Sequence, residues 1–375
     1  MYFIASHARF DDTDQPGHGT GSELSTYLRD KKEDYVFIRH SLYNGSKSEV
    51  EFFVKGKEQK KHYGFKNLPF LVRVVMEQLI TFWLLLTSKK KVKVFIGIDP
   101  LNGLSGIFGR FLGKVDKAIF YTADYSKKRF ENSFLNTVYH QIDLFCVKYA
   151  DQVWNVSSRI TSLRKEQGVE DSRNFFVPNT PEFKKAKRAS LSKKNLYDLV
   201  IVSTITKTVN YPAIIRAVKK LSKKFKKIRL LIVGDGEYVS ELKSLVKKLR
   251  VSDRVLFLGR KPHNQVLEIL SESGIGIALY SKEKEFSKYG DSMKVREYLA
   301  CGLPVVMNDI PSTADDVKSS EVGIILKGEG KGLEKGIEKL FSDRDLYKTM
   351  QRNALFLAES TDFTKVVDGA LSSLS

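Results

Sequence analysis

Two α/β domains, each a doubly wound parallel sheet, are predicted from three features of the 375-residue chain. Short uninterrupted apolar runs alternate with longer stretches whose apolar residues recur every three to four positions. Such runs are parallel strands buried on both faces and joined by crossover helices. The alternation occurs twice. Between the two occurrences stands Pro178-Asn179-Thr180-Pro181, followed by a basic, poorly periodic stretch from Lys184 to Asn195. A turn cluster of this kind ends one pattern before the next begins. The expected division is a first domain over residues 1–180, a linker over 181–196, a second domain over 197–350 and a C-terminal helix over 351–375 that packs back on the first domain.

In chain order, Tyr2–Ser6 reads as a strand and is followed by a glycine-rich loop, Gly17-His18-Gly19-Thr20-Gly21. Ser22–Arg29 reads as a helix and Tyr35–Arg39 as a strand. Phe70–Thr87 is a long apolar helix. Val92–Ile98, Ala118–Tyr121 and Gln152–Val156 are strands, and Asn132–Tyr149 is a helix with apolar residues at helical spacing. The second half restarts with the strand Asp198–Ser203, the helix Tyr211–Phe225 and the strand Arg229–Val233. Gly234-Asp235-Gly236 turns into the helix Tyr238–Leu249. Arg254–Leu258, Ile275–Leu279 and Val305–Val306 are further strands, and Gly332–Ser373 is mostly helical. Ligands of such sheets bind beyond the carboxyl ends of the strands. The polar loops after these strands are therefore expected to line one cleft between the halves.

Composition narrows the function. With 42% hydrophobic residues, the chain can build two cores. Cys146 and Cys301 stand far apart in apolar helical contexts and read as core residues rather than a disulfide framework. No signal peptide is visible, and a cytoplasmic setting is expected. In the most apolar stretch, Leu68–Leu86, Arg73 and Glu77 leave only Gln78–Ser88 free of charge. That is too short to span a bilayer, so the segment reads as a buried or interfacial helix. The net charge of +19 favours an anionic partner. Lysines cluster at 89–93, 184–194 and 219–227 without interleaved aromatics, which disfavours nucleic acid. An anionic membrane surface, touched peripherally from the cytoplasmic side, is the preferred partner of these lysines.

The most informative segment is Tyr289-Gly290-Asp291-Ser292-Met293-Lys294-Val295-Arg296-Glu297, continuing to Val306. A polar loop runs into a helix starting near Met293, and the helix stops at Cys301-Gly302. A helix start offers unpaired N–H groups and partial positive charge to a phosphate. Lys294 adds a full charge there. Glu297, three residues on, shares its face. A carboxylate at that point can accept two hydrogen bonds from a vicinal diol such as a ribose. One helix face thus suits a nucleoside diphosphate.

Three segments of the second half, LIVGDGEYVSELKSL, DRVLFLGRKPHNQVLEIL and YGDSMKVREYLACGLPVV, resemble in order and spacing the nucleotide-binding half of retaining GT-B glycosyltransferases of the family four type. Ala150–Ser157 and Val177-Pro178-Asn179 resemble the family's first half more faintly. The resemblance implies a GT-B architecture, two Rossmann-like domains facing a central cleft, and a metal-independent retaining transfer of a hexosyl group. It implies that Glu297 binds the ribose hydroxyls, that Lys294 and Lys207 face the diphosphate, and that Gly234 and Gly236 let backbone approach the nucleotide. Lys261 stands where the family's backbone meets the base. Gly19 and Gly21 belong to a loop similar to the first-domain glycine loop near the reacting centre. Asp124 sits where many relatives carry a histidine near the transferred sugar. Tyr289 stands where the family's first motif glutamate would be, so Asp291, Ser292 or loop backbone is expected to take over its sugar contacts.

No bound cofactor is implied beyond a UDP- or GDP-linked sugar, which is a substrate. The acceptor would be a glycan or a lipid-linked molecule of the cell envelope. Asp12-Thr13-Asp14 mimics a metal-binding Asp-x-Asp, but it follows the first strand too early for the fold that uses it, and no metal site is expected. His18 is the one histidine considered for catalysis. Two other readings share the scaffold: a nucleotide-sugar 2-epimerase, and a non-catalytic basic protein binding membrane or nucleic acid.

Overall fold

The computed structural model describes residues 1–8, 10, 19–41, 47–65, 68–282 and 285–374, the side chains of 285 and 286 excepted. Gly17, His18 and Asp12-Thr13-Asp14 lie outside these. The chain divides into two compact units. One is Met1–Val177 with the tail from Gly369, and the other is Pro178–Asp368.

Unit 1 runs β1 (Tyr2–Ala8), α1 (Thr20–Asp30), β2 (Tyr35–Ser41), β3 (Lys47–Val54), β4 (Lys57–Gly64), α2 (Phe70–Thr87), β5 (Val92–Ile98), α3 (Pro100–Phe111), β6 (Val115–Thr122), α4 (Ser133–Tyr149), β7 (Gln152–Asn155), α5 (Ser158–Glu166) and β8 (Asn174–Phe176). The sheet order is β4-β3-β2-β1-β5-β6-β7-β8. Phe3, Ile4, Phe95, Ile96, Phe120 and Trp154, all on its central strands, are fully buried, as a sheet covered on both faces requires.

Unit 1 is parallel apart from one hairpin, which corrects the all-parallel expectation. β3 pairs antiparallel with β2 and with β4. The hairpin turns at Lys55 and Gly56, both with positive φ (52° and 76°), the backbone of a tight two-residue turn. Its outer strand, KEQKKHYG, is almost wholly exposed. Charged side chains keep such an edge from pairing with another chain. They also hide the strand from a reading based on apolar runs. The helix α3 was concealed by its glycines. A Cβ on Gly106 would stand 2.3 Å from the Phe95 ring, so close helix–sheet packing demands a residue of poor helix propensity.

Unit 2 runs β9 (Asn195–Val202), α6 (Tyr211–Leu221), β10 (Arg229–Val233), α7 (Val239–Lys248), β11 (Val255–Gly259), α8 (His263–Glu272), β12 (Ser273–Ala278), α9 (Glu285–Tyr289), α10 (Met293–Ala300), β13 (Val305–Asn308), α11 (Thr313–Ser319), β14 (Gly323–Leu326), α12 (Leu333–Ser342) and α13 (Arg344–Ser360). Its six strands, ordered β11-β10-β9-β12-β13-β14, are all parallel. Apolar clusters cover both faces. One is centred on Ile201, Ile214 and Ile232, and the other on Val200, Val295 and Met307. The single helix expected over 351–375 is two: α13 begins at Arg344, and α14 spans Phe363–Ser372.

The stretch expected as a linker is packed on unit 2. Lys194 Nζ is buried and donates to Ser271 O at 2.7 Å. Arg188 Nε donates to Ala300 O at 3.0 Å. Both carbonyls lie in the last turns of helices, where unpaired C=O groups and the dipole favour cations. A basic stretch thus serves as a pair of helix caps.

Candidate functional site

The sheet order of unit 2 locates its binding edge. β9, β10 and β11 run outward on one side, and β12, β13 and β14 on the other. The order therefore reverses between β9 and β12, and the crevice beyond the carboxyl ends of the strands at such a point is where these sheets bind ligands. Lys207 follows β9, Gly234 and Gly236 follow β10, Lys261 follows β11, and Asp291, Ser292, Lys294 and Glu297 surround the start of α10. All eight residues that the sequence nominates in this half lie on unit 2's carboxyl-end loops or on α10.

The glycine turn is sterically fixed. Gly234 has φ 130°, and a Cβ there would stand 1.9 Å from Ser203 O. Gly236 likewise packs on Ile205, where a Cβ would meet its carbonyl oxygen at 2.2 Å. Ile205 N donates to Asp235 O at 2.9 Å, tying the turn to the loop after β9. Lys207 on that loop is exposed, with its Nζ 3.4 Å from Glu241. Lys261 is also exposed.

At α10 the two nominated side chains have distinct settings. Lys294 is half-buried, with Nζ 4.6 Å from the centre of the Tyr280 ring. Burial lowers its ammonium to about 8. Glu297 is mostly buried, and its Oε1 lies 2.8 Å from His263 Nε2 at the start of α8. Asp291 and Ser292 serve the loop itself. The Asp291 carboxylate accepts from Arg296 Nη2 (2.9 Å), Thr313 Oγ1 (2.8 Å) and Asn179 N (3.0 Å). Its side chain is fully buried and its lone pairs are spent, so it shapes the loop rather than presenting acceptors to a sugar. Ser292 caps α10, its Oγ accepting from Val295 N at 3.3 Å and contacting the Tyr280 hydroxyl. Tyr289 is buried at the end of α9.

In unit 1, a cavity of about 320 Å³ opens at the carboxyl ends of β1 and β5. Gly19, Gly21 and Asp124 all line it. Gly19 caps α1, and Gly21 lets that helix start lie against Phe37 and Ser6. Asp124 Oδ2 accepts from Arg129 Nη1 at 2.7 Å, while its Oδ1 is buried with no hydrogen-bond partner among the described residues. An unpaired buried acceptor costs free energy.

The sequence reading missed Asp99, His7 and Arg129 in this cavity. Asp99 sits at φ 73° and ψ 158°, a region nearly closed to residues other than glycine, and such strain gathers at functional sites. Burial, and next the charge of Asp124, push its carboxyl up to about 6. His7 Nδ1 lies 4.0 Å from Asp99 Oδ2, and His7 Nε2 lies 3.5 Å from the buried Glu77. One signal was present in the sequence: Asp99 stands immediately after a strand and immediately before Pro100. His263, the partner of Glu297, carried no local signal, because 34 residues separate the two. Among the described residues no group of three or more His, Cys, Asp or Glu is placed to hold a metal ion.

Residues 182–355 match the family model described as "Glycosyl transferases group 1". The matched span contains every nominated residue of unit 2. Over 185 residues the chain is 28% identical to the N-acetyl-alpha-D-glucosaminyl L-malate synthase of Bacillus anthracis, covering 49% of this chain and 45% of that protein. Over 204 residues it is 22% identical to the alpha-monoglucosyldiacylglycerol synthase of Streptococcus pneumoniae, covering 51% and 45%. The chain thus spans just under half the length of these curated relatives. Among solved structures, HepE of Anabaena in complex with UDP superposes with a TM-score of 0.70 at 14% identity, over 100% of this chain and 99% of that one. The fold is therefore GT-B, built from two Rossmann-like α/β units.

Proposed function

We propose that this protein is a glycosyltransferase that moves a sugar from a nucleotide-sugar donor to a glycan or lipid-linked acceptor, with retention at the anomeric carbon and without a metal ion. The observation that carries this reading is the face of α10, where Lys294 and Glu297 stand three residues apart at the switch point, within the span matching the glycosyltransferase family. Relatives named as synthases of an N-acetylglucosaminyl L-malate and of a monoglucosyldiacylglycerol support the class of reaction. The solved HepE structures with UDP and with UDP-glucose support a UDP-linked donor, and GDP remains the second base to test.

The chemistry follows from the charges. Negative charge builds on the leaving diphosphate as the sugar departs. Lys294 and the N-terminus of α10 are fixed positive groups that stabilise that charge, joined by the exposed Lys207, and such groups count most where water is excluded. Glu297, oriented by His263, accepts hydrogen bonds from the ribose diol. Gly234 and Gly236 leave room for the nucleotide beside the backbone. In unit 1, the cavity lined by Asp124, Asp99 and Arg129 holds the acceptor.

Titration calorimetry with UDP and GDP tests the donor half. Glu297→Ala should weaken the preferred nucleotide by roughly tenfold to a hundredfold, the loss expected for charged hydrogen bonds, at an unchanged melting temperature. Equal affinity in variant and parent overturns the assignment of Glu297. Transfer that stops in chelator overturns metal independence, and an inverted anomeric proton signal in the product overturns retention.

A further inference from the structure

The helix α2 is inside out. Its buried residues are Arg73, Glu77, Thr81 and Leu85, spaced four apart so that one stripe faces the unit. Three of these four are polar. The rest of the surface is apolar and open: Leu71, Val75, Leu79 and Trp83 are each more than half exposed. The 18 residues of this helix and their overall hydropathy suffice to cross a membrane, although its charge-free part is too short. Its polar stripe instead binds it to unit 1, where Glu77 approaches His7 and Thr81 Oγ1 lies 2.7 Å from His40 Nε2.

The apolar surface continues onto α3 and α4. Gly109 of α3 is in contact with Leu85 of α2, and beside it Phe108, Phe111 and Leu112 are exposed. The Phe108 ring stacks on Phe145 of α4 at 6.1 Å. An exposed apolar face on three adjacent helices far exceeds the scattered residues normal on a soluble surface.

Charge identifies what covers it. The acidic residues of these three helices are Glu77 and Asp143, both buried. The face therefore presents no negative charge. Past the C-terminal ends of α2 and α3 lie the exposed lysines Lys89, Lys93, Lys114 and Lys117, which have no carboxylate partner among the described residues. An apolar face with a cationic rim matches acyl chains beneath anionic headgroups. A second copy of a chain carrying +19 would bring like charges together along the same rim.

We infer that the α2–α3–α4 face of unit 1 docks onto an anionic lipid bilayer, with Trp83 at the acyl–headgroup boundary. The chain holds two tryptophans, and Trp154 is fully buried, so Trp83 reports on the face. The full chain is sedimented with vesicles of phosphatidylcholine alone and of phosphatidylcholine with phosphatidylglycerol. The expected result is binding to the anionic vesicles, weakened by salt, with a blue shift of Trp83 emission. Leu79→Glu with Trp83→Glu should lower the partition coefficient by at least about tenfold, because charge is costly in an apolar layer, and should leave UDP affinity unchanged. Both positions are already exposed, so folding is spared, and a melting curve verifies this. Equal binding to both vesicle types, no binding to either, or retained binding by the double variant overturns the inference. So does a dimer in sedimentation equilibrium that the double variant abolishes, since the face is then an interface between copies.

Discussion

Lys294 carries two opposed demands. Its partial burial against Tyr280 disfavours the ammonium, lowering it to about 8, while a diphosphate needs the charged form. The sign follows from linkage. The folded-state value lies below the unfolded one, so between about 8 and 10.5 the unfolded chain binds more protons, and stability rises with pH across that window. At neutral pH the full cost of burying the charge is present, roughly 1–3 kcal/mol. Lys294→Met should therefore raise the melting temperature at pH 7 and weaken UDP binding. In the parent, UDP affinity should fall as pH rises through about 8, and in the variant it should not respond to that proton. A calorimetric pH series on both proteins measures this. A parent profile that stays flat through pH 8 would show that the amine does not meet the phosphates. Asp99 shows the same logic in unit 1, a carboxylate kept in strained backbone and low dielectric beside an open cavity, as expected where stability yields to function.

At the scale of elements, α10 is placed by a buried ionic knot. Arg296 joins Asp291, at the head of the loop, to Asp316 of α11. Asp291 in turn accepts from Thr313 and from Asn179 N. The knot fixes where the helix starts, and so where Lys294 and Glu297 stand. Breaking it leaves the buried Asp291 charge without its cation, at about 3–5 kcal/mol. Arg296→Met should lose about that much in denaturant unfolding and should weaken UDP binding, although Arg296 is buried away from the ligand face. A stability loss with unchanged UDP affinity would show that α10 keeps its position without the knot. This level of detail was only partly legible in the sequence. The loop, the helix start and the Lys–Glu face follow from local spacing. Asp291 as a structural anion does not, because its partners lie as far away as Asn179 and Thr313. The β3–β4 hairpin and α3 escaped for a different reason: one is too charged to read as a strand, the other too rich in glycine to read as a helix. Apolar periodicity finds elements that bury a simple face and misses those whose packing is set by neighbours.

At the scale of the whole molecule, the two repeating halves were legible because parallel sheets write their strands as continuous apolar runs. The route of the chain's end depends on contacts that span most of its length. The residues from Gly369 onward belong to unit 1, where Gln152 Nε2 on β7 donates to Ala370 O and to Ser373 Oγ, each at 2.8 Å. Gln152 is buried, and its Oε1 accepts from Trp154 Nε1 at 2.8 Å. The tail thus completes the polar satisfaction of a core strand. Removing residues 369–375 would leave the Gln152 amide without its acceptors, at about 1–3 kcal/mol, and would also expose the apolar groups packed there. Hydrogen exchange should then accelerate at the β7 amides, while the UDP affinity of unit 2, whose binding loops lie between Pro178 and Asp368, should stay as in the parent. Unchanged protection of β7 would mean that the tail contributes nothing to that strand. Lost UDP affinity with β7 intact would mean that the tail's role lies in unit 2 instead.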